Sequence, residues 1–171
     1  GDDAYWGRRG SKEARMGAEP THYIVVTSPE NWAKTAERGW TLLGLKSTKP
    51  GQAAAFKPGD KVVAYATGIK KFVAAVEVTS DMFVDHTPIW GSAKKPGEDY
   101  PNRLETKPLV VLDEDQYVDA FTLARRLEYA QKWGDHISLA FQGNIRPIPA
   151  ADYELILAEM ERAKAEAVRA G

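Results

Sequence analysis

Trp32, Trp40, Trp90 and Tyr100 fall in or beside segments that read as loops and helix ends, not strand centres. Tryptophan in such places either packs over the edge of a core or presents a flat face. Two rings facing each other across a cleft make a slot for a planar base, worth about 1–3 kcal/mol per stacked ring. A base held this way must first leave its stack, with cations near the mouth holding the flanking phosphates. Nucleophilic chemistry has weaker support. Ser28, His86 and Asp85 supply the residue types of a triad, but no Gly-x-Ser-x-Gly elbow surrounds Ser28. Pro29 follows it and lacks the N–H that an oxyanion hole uses. His86, Asp85 and Asp81 offer an imidazole and two carboxylates without a recurrent ligand spacing, and capping a loop is the plainer role for Asp85 and His86. Neither a Gly-x-x-x-x-Gly-Lys-Thr nor a Gly-x-Gly-x-x-Gly run occurs, so nucleotide hydrolysis and dinucleotide redox chemistry lack a cradle.

Composition narrows the classes further. The chain has 171 residues, 43% hydrophobic and 27% charged, which suits one soluble domain with a small appendage. It has no cysteine, which excludes disulfides, thiol nucleophiles and zinc ribbons, and its three histidines are scattered. Apolar runs stop at about five residues, against about 20 for a bilayer span, and no signal-peptide pattern opens the chain. A cytoplasmic location, no membrane partner, no cofactor and a monomer are the expectations. The formal charge is −1, too balanced for a protein that coats nucleic acid without specificity. Charge is uneven, however: residues 46–107 carry 10 basic and 7 acidic groups, residues 108–171 carry 7 and 11. A positive face over the middle third would draw phosphates; a solvated surface with chance asymmetry is the blander alternative.

The elements that must position these residues follow from pattern. Residues 1–21 carry no apolar period and read as a flexible extension, with Met16 a candidate natural start and the preceding residues an upstream extension or expression remnant. Tyr23–Thr27 is a β-branched run that predicts a buried strand. Ser28 then caps a helix, Pro29 takes its first position, and Gly39 ends it. Trp40–Leu45 reads as short and extended, and Gln52–Phe56 as one helical turn. Lys57–Asp60 is a turn leading into a hairpin of Lys61–Thr67 and Phe72–Thr79. Residues 81–101 form a long aromatic-bearing connection, followed by a strand over 102–112. A helix lies within 119–132, a final strand or turn over 137–141, and a last helix from Pro149 that buries Tyr153, Ile156, Leu157 and Met160. Strands without regular βαβ alternation, flanked by helices, predict an α+β fold around a small curved mixed barrel. The domain is expected over 22–160, with 161–171 a solvated helix end.

Four segments, Tyr23–Trp32, Lys57–Lys61, Asp85–Trp90 and Asp99–Arg103, together resemble an EVE domain of the small bacterial subfamily. Ala124–Tyr129 and Leu139–Asn144 fit the same subfamily, so the resemblance runs from about His22 to Ile156. It implies a PUA-like fold, a curved barrel of five or six strands flanked by helices and related to YTH and ASCH domains. It also implies a non-enzymatic reader that encloses a flipped, modified base in DNA or RNA, with modified cytosines such as 5-methylcytosine the leading ligand. By the same comparison Trp40 and Trp90 are the two cage tryptophans, the Ser28–Asn31 turn faces the pocket, and Gly44, Lys46 and Ser47 line its entrance.

A methyl group is a small handle, worth about 1 kcal/mol, so strong selectivity needs polar groups matched to one base edge. Ser28, Asn31, Ser47, Thr67 and Asp85 are the candidates. The Asn31 amide has both donor and acceptor for a Watson–Crick edge, or else bonds backbone near the helix start. Lys46, Lys49, Lys94 and Lys95 are the phosphate candidates, which predicts a log–log salt slope of only about −2 to −4. The alternatives to a reader are a nucleotide- or nucleoside-processing enzyme using Ser28, Asp85 and His86, and a small-metabolite sensor using the same pocket.

Overall fold

The first strand, β1 (His22–Thr27), is buried along both of its faces, as a run of β-branched and aromatic residues requires. In the computed structural model, which describes residues 19–48 and 50–170, β1 pairs in parallel with β3 (Lys61–Ala66). Its other edge pairs antiparallel with β8 (Ile145–Ile148). The hairpin is present: β3 turns through residues 67–70 into β4 (Lys71–Val78), and β4 pairs with β6 (Asn102–Val111). Beyond β6 lies β2 (Leu42–Leu45), giving the order β2-β6-β4-β3-β1-β8. Two short strands lie off this path, β5 (Phe83–Val84) on β6 and β7 (Val118–Asp119) on β4. Register shifts at Ala64/Tyr65 and Ala75/Val76 bend the sheet, which curls into a half-barrel flanked by helices.

Each face of the curl has its own core. Tyr23, Val25, Val62, Ala64 and Leu104 pack inside with Trp32 and Trp40. Ile24, Val26, Val63 and Tyr65 point to the opposite face. There they meet the short helix Ala120–Ala124, two 3₁₀ turns over Glu128–Trp133 and Ile137–Phe141, and the long helix Ala150–Ala170. Tyr65 stacks face to face on Phe141 at 4.8 Å, and burial pushes its hydroxyl pKa up to about 12. Tyr153 is likewise raised to about 12 by burial.

One expectation is refined and two need correction. The helix within 119–132 is short, Ala120–Ala124, because the buried Asp152 carboxylate accepts the Glu128 and Tyr129 N–H groups at 2.8 and 2.9 Å, starting a separate 3₁₀ turn. Residues 137–141 are 3₁₀, and the last strand is β8, where Pro147 sits on a sheet edge that tolerates its missing N–H. Trp40 is not extended; its φ of +59° follows Gly39 at +67°, and the pair turns the chain out of the first helix, α1 (Pro29–Glu37). The bulk of the 1–21 extension and Lys49 lie outside the described residues. Among the described residues no helix is long and apolar enough to cross a membrane.

Candidate nucleic-acid cleft

The parallel pair β1–β3 delivers both carboxyl ends to one rim of the sheet, and α1 starts directly after β1. Ser28 caps α1 as its sequence predicts: its Oγ accepts the Asn31 N–H at 3.2 Å, and Pro29 occupies the first turn. A cleft of about 1130 Å³ opens at this rim. Its walls are the end of β1, the start of α1, the β3–β4 turn, the loop 91–95 and the segment 141–144. Of the anticipated residues, Ser28, Asn31, Lys46, Thr67, Lys94 and Lys95 line it.

Asn31 decides how one wall is held. Its Nδ2 donates to the Gly91 carbonyl at 2.8 Å and its Oδ1 accepts the Gly91 N–H at 3.0 Å. Nδ2 also reaches Thr27 Oγ1 at 3.0 Å. Both ends of the amide thus clip a loop 60 residues away; they are engaged, and with backbone that is not local. Asn144 is engaged in the same way, donating to the Val26 carbonyl at 2.9 Å.

The expected indole pair is arranged differently from a slot. Neither Trp40 nor Trp90 borders the cleft. Trp40 is 5% exposed and stacks on Trp32 at 5.4 Å, and its Nε1 is buried without a hydrogen-bond partner. Trp90 is 7% exposed; its Nε1 donates to Thr35 Oγ1 at 3.0 Å. The Trp90 ring lies on the backbone of Gly44, where a Cβ would come within 2.9 Å of Cδ2 and closer still to Cε3 and Cζ3. Gly44 is therefore a notch for Trp90, not an entrance residue. Across the β2–β6 ladder from Gly44 stands Arg103, whose buried guanidinium lies 5.2 Å from the centre of the Trp90 ring. Both residues bond to Thr35: the Trp90 indole N–H uses its hydroxyl, and the Trp40 backbone N–H donates to its carbonyl at 3.1 Å.

The remaining candidates separate. Ser47 lies off the cleft wall, its N–H donating to the Asp99 carbonyl at 3.1 Å. Asp85 accepts the Thr87 N–H at 2.9 Å, which holds its carboxyl below the usual range, and lies 3.4 Å from Arg103. His86 Nδ1 is 2.6 Å from Asp99 Oδ2. With Ser28 capping α1 and His86 on Asp99, the three residues do not assemble a triad. Lys46 is paired with Glu98 at 3.3 Å, whereas Lys34, Lys94 and Lys95 have no acidic partner among the described residues. Sequence reading missed Lys34, although it stands one helical turn beyond Asn31 and therefore shares its face. Thr48, Tyr100 and Gln142 also line the cleft. Among the described residues no cluster of ligating side chains could hold a metal ion.

A curled mixed sheet with a capped helix after its first strand and a cleft at that rim is a fold shared with solved YTH domains. Solved structures agree at low identity. The YTH domain of the Zygosaccharomyces rouxii MRB1 protein, in complex with N6-methyladenosine RNA, aligns with a TM-score of 0.61 at 16% identity, over 84% of this chain and 88% of that one. A YTH domain-containing protein mmi1 and RNA complex gives 0.64 at 8%, over 88% and 87%. Rpa0253 of Rhodopseudomonas palustris gives 0.54 at 15%, over 82% and 93%. The chain belongs to the EVE domain family, whose profile matches residues 21–159. It is 28% identical over 145 residues to the UPF0310 protein PH1033 of Pyrococcus horikoshii, covering 80% of this chain and 96% of that protein.

Proposed function

We propose that this domain is a non-enzymatic binder of single-stranded or locally opened nucleic acid that takes one modified base at the cleft. The observation that carries this reading is the cleft itself. At about 1130 Å³ it exceeds the roughly 300–1,000 Å³ of ordinary small-molecule pockets, and its lining includes Lys34, Lys94 and Lys95, which have no acidic partner among the described residues. Those dimensions suit a nucleotide with its flanking backbone better than a free metabolite. The fold supports the same class of ligand, since the similar MRB1 structure holds N6-methyladenosine RNA. We retain 5-methylcytosine as the first ligand to test, in DNA and in RNA.

Trp90 and Trp40, which do not border the cleft in the closed arrangement, become ring walls in this proposal only once the loop carrying Trp90 opens. In the arrangement described, Trp90 is seated on Gly44 and bonded to Thr35, so a base enters between the indoles only when Trp90 leaves that seat. The loop that carries it is fastened to α1 by the Asn31–Gly91 clip at the cleft wall. A base edge that competes for the Asn31 amide would therefore unfasten the loop, linking recognition to opening.

The test is a titration of nonamer strands carrying one central 5-methylcytosine, one N6-methyladenosine or no modification, with free nucleosides alongside. A reader prefers a modified strand, by about fourfold for a single buried methyl at about 0.8 kcal/mol, and leaves it chemically unchanged. Trp90→Ala removes the preference. Equal affinity for all strands and for Trp90→Ala refutes the reading. Released product indicates an enzyme, and preference for the free nucleoside indicates a sensor.

A further inference from the structure

Outside the cleft, Trp133 carries two cations on its indole. Lys132 Nζ lies 4.4 Å from the ring centre and the Arg146 guanidinium 4.7 Å from it. Neither pairs with a carboxylate among the described residues. Arg146 is fixed in place: its Nη2 donates to the Gln142 carbonyl at 3.1 Å and to the Leu139 carbonyl at 3.5 Å, while its Nε is buried without a partner. A planar guanidinium held by backbone and an indole, yet lacking an anion, is preorganised for one. Its position matters, because Gln142 is itself part of the cleft wall. The surrounding segment is also basic. Residues 125–146 hold Arg125, Arg126, Lys132 and Arg146 against Glu128 and Asp135, although residues 108–171 as a whole are acidic.

We propose that Trp133, Lys132 and Arg146 form a second contact that binds a backbone phosphate two or more nucleotides beyond the one in the cleft, so that the strand leaves the cleft over Phe141–Gly143. The proposal rests on the cleft reading above and adds a direction for the strand. Lys132 is exposed and Trp133 half-buried, so the pair is reachable without rearrangement.

The experiment compares wild type with Lys132→Glu, Arg146→Lys and the cleft variant Lys94→Glu/Lys95→Glu. The probes are the nonamers described above and trinucleotides with the same central base. Lys132→Glu should weaken nonamer binding about tenfold, lower the salt slope by about 1, and leave the trinucleotide unchanged. Arg146→Lys, which keeps the charge but loses the planar fork, should show a smaller loss of the same kind. If nonamer affinity responds to the cleft variant but not to Lys132→Glu, the second contact is refuted and the cleft reading stands. If it responds to Lys132→Glu but not to the cleft variant, the strand binds the Trp133 surface and the cleft reading fails. Equal loss for trinucleotide and nonamer in Lys132→Glu also overturns the contact, because the trinucleotide does not reach beyond the immediate neighbours of the central base.

Discussion

Gly44→Ala is the sharpest perturbation of the site, because one added carbon confronts one ring. The new Cβ would fall within 2.9 Å of Trp90 Cδ2 and nearer to two further ring atoms; Trp90 is buried and Gly44 half-buried beneath it. The backbone of β2 is fixed by its ladder to β6, so the indole must move. Forcing volume into a filled core costs about 1–3 kcal/mol. Lifting the indole also breaks its hydrogen bond to Thr35 Oγ1, a further loss of about 0.5–1.5 kcal/mol. Together these give about 2–4 kcal/mol, which for a chain of this length lowers the melting temperature by about 5–15 °C. Thermal unfolding followed by circular dichroism measures this, and the near-ultraviolet tryptophan bands should weaken even in the folded variant. Gly91→Ala is the control: no atom lies within 4 Å of its added carbon, and the expected change is within about 0.5 kcal/mol. A Gly44→Ala protein that melts within about 2 °C of wild type, with unchanged bands, refutes the notch.

Further outcomes follow from other contacts. Asp152→Ala removes the carboxylate that receives two backbone N–H groups and should cost about 2–3 kcal/mol in urea unfolding, with Asp152→Asn losing less. Lys94→Glu/Lys95→Glu should reduce affinity for every strand alike and flatten the log–log salt slope by about 2, read by fluorescence anisotropy. Acid should destabilise the fold in two steps. Burial lowers the pKa of His22 from its ordinary 6.5, and the hydrogen bond from Lys61 lowers that of Glu77 from 4.5. In both, the folded form binds fewer protons than the unfolded chain. Stability is therefore full above the unfolded value and is lost as pH falls, for His22 below about 6.5 and for Glu77 below about 4.5. His22→Gln should remove the first decline in melting temperature between pH 7 and 5.

Strands buried on two faces announce themselves, which is why β1, β3 and β4 are legible from Tyr23–Thr27, Lys61–Ala66 and Phe72–Val78. The start of α1 is legible for a local reason, since Ser28, Pro29 and Glu30 each suit their position whatever surrounds them. β8 escapes because four residues with a proline carry almost no pattern, and only the free edge of β1 makes a strand of them. The break at Glu128 escapes because its cause, Asp152, lies 24 residues further on. The site divides similarly. Ser28, Lys94 and Lys95 reach the cleft through local geometry, while the destination of the Asn31 amide depends on a loop 60 residues away. Gly44 and Trp90 are expected at the pocket, and in the structure they touch each other instead of lining the cleft. No spacing in the chain reveals that the glycine exists to admit the ring.

Three of the five tryptophans, Trp32, Trp40 and Trp90, gather around one turn of α1. Their emission is consequently coupled to the position of the loop that carries Trp90, with no label attached. Departure of that one indole from Thr35 would expose it to solvent and shift its spectrum to the red, while Trp32, anchored to the Tyr65 carbonyl at 2.8 Å, stays as an internal reference. The domain thus contains its own optical gauge, readable in a stopped-flow instrument when a candidate strand is mixed in.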